Sequence, residues 1–199
     1  MRKLIVIDWM TLDGVVQAPS YPDEDTEGGF SHGGWHTPFF DDISMQWTMN
    51  NITSAGSFIF GRRTYETFAA HWPKASQEEQ TLAEPFNTRQ KYVASNTLTE
   101  PLEWQNSTLL QGDATASVAA LKQSAGGSLH VFGSTQLVHA LLANNLVDEL
   151  RLMIDPILLG AGKRIFLYDG APTPLRLTNS QPTTTGAILA TYQTAKDAP

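Results

Sequence analysis

The chain of 199 residues has no cysteine. That excludes disulfides, thiolate metal sites and cysteine nucleophiles together, and it suits a reducing compartment. Basic residues are scarce as well. Thirteen Lys and Arg against twenty Asp and Glu leave a formal net charge of -7. A chain of that charge carries no general field for nucleic acid or anionic membrane, so an anionic ligand must be met by local Arg and Lys. Long apolar runs are missing too: Leu4-Ile5-Val6-Ile7 is cut by Asp8. That is too short for a membrane span or a signal-peptide core, and the cytoplasm is the expected location. The five histidines, His32, His36, His71, His130 and His139, show no metal-ligand spacing, and no metal is expected. His32 and His36 lie in a glycine-rich stretch that reads as surface, and His130 sits mid-strand as a structural residue.

What is present alternates between strand and helix. Leu4–Ile7, Ser57–Phe60, Tyr92–Ala94, Thr108–Leu110 and Leu129–Phe132 are short buried-strand runs. Helical spacing predicts helices over Phe39–Thr53, Thr64–Ala70, from an N-cap at Ser76 to Phe86, after Asp113, and over Leu137–Asn144. Glu149–Ile154, Leu175–Thr178 and Ile188–Gln193 read as further strands with no helix between the last two. The pattern predicts one α/β domain over residues 1–199, with a mainly parallel, helix-flanked sheet and an antiparallel C-terminal extension. Residues 18–38 form a long irregular stretch rich in Gly, Pro and acid, and a loop of that length in a compact domain is usually functional or disordered.

Chemistry is expected where strands end, because open α/β sheets bind ligands outside the carboxyl ends of their strands. Three strands end in polar punctuation: Gly61-Arg62-Arg63-Thr64, Ser95-Asn96-Thr97, and Gly133-Ser134-Thr135-Gln136. Two of these open helices, whose first N–H groups lack partners and attract anions. Arg62 and Arg63 either grip a phosphate or are solvated residues at a helix start. Gly133-Ser134-Thr135 and Ser95-Asn96-Thr97 each read alone as plain turns. Asp41 and Asp42 either favour a helix N-terminus or take part in proton transfer. Asp8 either faces a ligand cleft or pairs with a neighbour. Trp9 and Trp35 either stack on a flat ring or pack in the core.

The ordered set of motifs resembles the dihydrofolate reductase superfamily. Within it, the set is most similar to the reductase domain that forms the C-terminal half of the bifunctional riboflavin-biosynthesis deaminase-reductase. The matching pieces are Thr11-Leu12-Asp13-Gly14, the segment from Phe58 to Glu66, Tyr92-Val93-Ala94-Ser95, Val131-Phe132-Gly133-Ser134, Leu146 to Leu150, and Pro156 to Lys163. The resemblance implies the three-layer dihydrofolate reductase-like fold, with a central mixed sheet and helices on both faces. It implies NADPH as hydride donor to a small heterocycle, as in 5-amino-6-(5-phosphoribosylamino)uracil reductase, and a homodimer. Arg62, Arg63, Thr64, Ser95 and Asn96 then hold the adenosine end and its 2′-phosphate. Gly61 lets the backbone come close, Gly133 to Gln136 hold the pyrophosphate, and Val16 flanks the nicotinamide. Trp9 and Trp35 are candidates for the acceptor, and Asp13 or Asp41 for proton delivery.

The sequence also departs from its relatives. Ser134 stands where folate enzymes carry the second glycine of a pair, and Phe40 falls near the place of their acidic residue. Val15 stands where riboflavin-type enzymes often have lysine. These departures keep two alternatives open: a nucleotide-binding member of the fold without turnover, and a dihydrofolate or pterin reductase.

Overall fold

The computed structural model describes residues 1–166 and 172–194. The chain groups into two compact units, one of Met1–Val6 with Thr48–Asp148 and one of Ile7–Trp47 with Glu149–Pro199. Strand β1 spans Leu4–Thr11 and helix α1 spans Asp42–Thr53.

The first unit holds β2 (Ser57–Gly61), α2 (Arg62–His71), α3 (Gln80–Thr88), β3 (Lys91–Ala94), β4 (Ser107–Leu110), α4 (Ala114–Gln123), β5 (Leu129–Phe132) and α5 (Thr135–Ala143). Its strands are all parallel, in the order β4-β3-β2-β5. Every residue of β2 and β5 is buried, which is why both read as mainly apolar runs, interrupted only by Ser57 and His130, rather than alternating ones. Phe58 and Phe60, two residues apart, share a face and stack with ring centroids 5.9 Å apart. Phe86 of α3 closes on Phe58 at 4.6 Å, and Phe68 of α2 meets Phe60 edge-on at 5.3 Å. Aromatic pairs of this kind add to the burial of their area. Lys91 lies beneath this layer, its ammonium 4.5 Å from the Trp104 ring centroid and bonded to the carbonyls of Phe86 and Arg89. His130 is buried and structural, with Nδ1 against the Asn51 carbonyl and Nε2 against Ser128 Oγ.

The second unit holds β6 (Glu149–Asp155), β7 (Leu175–Pro182) and β8 (Ile188–Thr194), antiparallel in the order β6-β8-β7. The parallel and antiparallel parts are the fold class expected from the sequence. Several boundaries differ, among them β7, which runs on to Pro182, and α2, which starts at Arg62; three of the others have a visible cause. β1 does not stop at Asp8 but runs on to Thr11, because Asp8 is buried within the strand. α1 begins at Asp42 rather than Phe39; Pro38 sits in a short 3-10 turn and Asp41 caps the helix through Ser44. α4 ends at Gln123 with Ser124 after it, before the Gly126-Gly127 pair.

Candidate functional site

In the first unit the parallel register brings the three polar strand ends to one edge. Gly61 pairs with Ala94, and Ile59 with Val131, so Gly61-Arg62-Arg63-Thr64, Ser95-Asn96 and Gly133 to Gln136 leave the sheet on the same side. Ser134 joins two of them. Gly61 N–H donates to Ser134 Oγ at 2.9 Å, and the hydroxyls of Thr64 and Ser134 are 2.9 Å apart. A Cβ on Gly61 would stand 2.3 Å from Ser134 Oγ, so this seam requires glycine. Gly133 has φ +57 and Ser134 φ 62, two successive left-handed residues that turn β5 into α5.

The seam has an electrostatic result. The Ser134 side chain bonds to the end of β2 and does not cap its own helix, and α2 likewise starts at Gly61 with no side-chain cap. Neither helix has an acid in its first turn. Two helix starts therefore lack a side-chain cap and present their positive dipole ends near the exposed residues Arg62 and Arg63. Arg62 meets Glu66 at 3.0 Å on the surface, a pair worth only about 0.3–0.5 kcal/mol, which a phosphate can outbid. The Ser95 hydroxyl accepts from the N–H groups of Thr97 and Leu98 and closes its turn. Beside it, Asn96, Leu98, Leu109 and Gln111 line an open, polar cleft of about 430 Å³. Uncapped helix starts, arginines and hydroxyls are the donor set that a phosphorylated dinucleotide needs, so the residues present fit that group.

The second unit carries the other residues singled out in the sequence. Asp13 accepts from Thr11 Oγ1 (2.6 Å), Leu159 N–H (3.2 Å) and Gly160 N–H (2.8 Å), and Arg164 lies beside it. Burial pushes its carboxyl up, but those hydrogen bonds and Arg164 prevail and hold it down at about 2. Asp41 caps α1 with one oxygen and takes the N–H and hydroxyl of Thr184 with the other; the Ser44 hydroxyl, first among these donors, holds it well below the usual range. Both acids tie loop segments together through hydrogen bonds that favour the carboxylate form. Val15 and Val16 are buried, and Val16 N–H donates to the Lys163 carbonyl at 2.8 Å.

The acidic loop is ordered by Gln17. Its side-chain amide donates to the carbonyls of Asp25 and Glu27 and accepts from Lys163 N–H. The Lys163 ammonium pairs with the carboxylates of Asp25 and Glu27, so the loop neutralises part of its own charge. Trp35 is a core residue here: it packs with Val15, Ala18 and Phe30, and its indole N–H donates to the Gln17 carbonyl at 2.8 Å.

His36 departs from the surface role expected of it. It is 7% exposed, and its Nδ1 lies 2.8 Å from Oδ2 of Asp155, which is 0% exposed. His32, by contrast, is exposed. The rings of Trp9, Trp35 and Phe40 surround His36 at 5.9, 6.2 and 5.4 Å, and Trp47 meets Trp9 edge-on at 6.0 Å. Asp8 is buried, with Oδ1 accepting from Trp9 N–H at 3.0 Å and no ion-pair partner among the described residues; burial pushes its carboxyl up to about 8, against that hydrogen bond, with the Glu24 charge adding to the rise. Sequence spacing gave no sign of the His36–Asp155 pair, because 119 positions separate its members. The available signal was a polar residue at the end of each apolar strand, which singled out Asp8 and equally applied to Asp155. No cluster that could hold a metal exists among the described residues. Among them, no helix is long and apolar enough to cross a membrane.

Comparison with known proteins gives the same frame. The family model "RibD C-terminal domain" matches residues 2–189. The uncharacterised protein YyaP of Bacillus subtilis (strain 168) is 25% identical over 193 residues, covering 96% of this chain and 94% of that one. YwjB of the same organism, also uncharacterised, is 27% identical over 119 residues, covering 60% and 63%. Among solved structures, a pyrimidine reductase-like protein of Corynebacterium diphtheriae superposes with TM-score 0.68 at 11% identity, covering 98% of this chain and 93% of that one. A Shewanella sp. PV-4 protein assigned to riboflavin biosynthesis gives 0.66 at 17%, covering 98% and 99%. Dihydrofolate reductase of Enterococcus faecalis, complexed with NADP(H), gives 0.61 at 12%, covering 98% and 97%. These likenesses establish a dihydrofolate reductase-like fold.

Proposed function

Because the chain belongs to the RibD C-terminal domain family, we propose that it is an NADPH-dependent reductase acting on a small heterocyclic substrate of the phosphoribosylamino-uracil class. The observation that carries this reading is the Gly61–Ser134–Thr64 seam, which leaves the starts of α2 and α5 uncapped beside Arg62 and Arg63. In this reading Arg62, Arg63, Thr64, Ser95 and Asn96 hold the adenosine end and 2′-phosphate. Gly133, Ser134, Thr135 and Gln136 hold the pyrophosphate. When bound, the reduced nicotinamide supplies a hydride. The protein's share is to bind, to orient and to exclude water.

The first helix region carries Phe40 rather than an acid near the position that serves folate enzymes, which favours an acceptor other than dihydrofolate. Tryptophan fluorescence tests the cofactor assignment. NADPH is expected to quench saturably, and NADH far more weakly. The same protein mixed with NADPH and 5-amino-6-(5-phosphoribosylamino)uracil is expected to consume the cofactor. Binding without consumption of any heterocycle supplied supports the non-catalytic alternative, and the absence of binding refutes the reading.

A further inference from the structure

The seam between Gly61, Ser134 and Thr64 has a direction. A backbone N–H can only donate, so the Gly61 N–H, 2.9 Å away, makes Ser134 Oγ an acceptor. That leaves Ser134 with one hydroxyl proton to place. Among the described residues its hydroxyl has two partners, the Gly61 N–H and Thr64 Oγ1 at 2.9 Å. Of these only Thr64 Oγ1 can accept. An oxygen that already accepts an N–H bond is also polarised into a better donor, which favours the same direction. Thr64 Oγ1 therefore accepts from Ser134, and the Thr64 proton is left to point out of the pair.

The surroundings show what that proton faces. Thr64 is half-buried, in the first turn of α2. A Cβ on Gly133 would stand 3.2 Å from Thr64 Oγ1, so the hydroxyl lies against the turn that opens α5. Neither helix start has an acid in its first turn, so no carboxylate there competes for the proton. Glu66, the acid of α2, is turned to Arg62. The positive dipole ends of both helices favour an anion at this junction.

We propose that Ser134 is a positioning residue of the nucleotide seat: its hydroxyl accepts from Gly61, donates to Thr64, and so turns the Thr64 hydroxyl proton toward a phosphate oxygen of the ligand seated there. This rests on the reductase reading, in which that ligand is NADPH. No covalent bond changes; three hydrogen bonds run head to tail from an amide to an anion. Ser134 acts through Thr64. The serine at the place of the folate enzymes' second glycine thereby supplies an alignment that glycine cannot.

A double-mutant cycle in NADPH affinity, read by calorimetry on the full chain, tests the proposal. T64V removes the outward donor and is expected to weaken NADPH by about 10–100-fold, the size of a charged hydrogen bond. T64S keeps the hydroxyl and is expected to keep the affinity. S134A is expected to cost about 3–10-fold while Thr64 is present and nothing in the T64V background. A serine that only held the turn in shape would cost the same factor in both backgrounds. S134G repeats the cycle with the residue best suited to φ 62, so that misfolding of S134A does not decide the result. Equal factors in the two backgrounds, or no loss in either Ser134 variant, overturns the proposal. NADH separates the phosphates: a loss shared by NADH puts the contact at the pyrophosphate, and a loss confined to NADPH puts it at the 2′-phosphate, both as proposed. Inorganic pyrophosphate, followed by the ¹⁵N amide shifts of Gly61 and Ser134, separates the proposal from the reductase reading. Pyrophosphate binding with the same coupling but no NADPH binding refutes the reading alone. Binding of neither refutes both.

Discussion

Replacing Gly61 by alanine probes the seam on which the nucleotide seat is built. The backbone at Gly61, with φ -80, accepts any L-residue, so no conformational strain enters. The cost is steric. The new Cβ would lie 2.3 Å from Ser134 Oγ and 2.5 Å from Ser134 Cβ, and the next nearest atom, Ser134 Cα, is 3.9 Å away. Ser134 is caught between Gly61 and Thr64 and cannot swing aside without losing both hydrogen bonds. Overpacking of this kind costs about 1–3 kcal/mol. For a chain of this length each kcal/mol lowers Tm by roughly 2–4 °C. S134G alone loses the two hydrogen bonds, roughly 1–3 kcal/mol for the pair, and regains part of it because φ 62 suits glycine. The double variant G61A/S134G removes both clashing atoms and restores ordinary contact. Urea unfolding of the four proteins is therefore expected to show a negative coupling energy of about 1–2 kcal/mol. Additive effects, or an unchanged G61A, would refute the seam.

Three more outcomes follow from the same geometry. Asp8 has its proton affinity raised to about 8 in the fold against 3.8 unfolded, so the native state binds more protons between those values and stability falls as pH rises through that window. D8N is expected to lose less Tm between about pH 5 and 8 than the unmodified protein; an equal loss would show that Asp8 is not the group responsible. F58A removes a fully buried ring and is expected to cost about 3–5 kcal/mol in urea unfolding; a cost near zero would mean that the aromatic layer can collapse around the gap. K163A removes the ammonium that bridges Asp25 and Glu27 and is expected to speed cleavage at Glu24 and Glu27 by a glutamate-specific protease, with no such change in K74A.

Much of this fold is legible in the sequence because its strands are short, apolar and punctuated. Phe58-Ile59-Phe60 followed by Gly61-Arg62 reads as a strand, a turn and a helix start without further help. Parallel pairing then needs only the order of motifs to bring the Gly61, Ser95 and Gly133 turns to one edge. The direction of the Ser134 side chain is not legible, because it depends on a bond to a residue 73 positions away. Asp13 and Asp41 look like chemistry because acids in turns often are; their partners Leu159, Gly160, Arg164 and Thr184 come from distant segments that local pattern does not connect. His36 looks like surface because glycines precede it. Its burial depends on Asp155 and on aromatic residues from separate elements.

The central claim is that cationic, uncapped chain ends on one edge of the first unit seat a 2′-phosphorylated dinucleotide. Calorimetric titration of R62A/R63A with NADPH and NADH tests it most directly. A charged hydrogen bond to phosphate is worth about 1.5–3 kcal/mol, so NADPH affinity is expected to fall at least tenfold while NADH binding changes little. Equal loss for both cofactors, or no loss for either, would contradict the account.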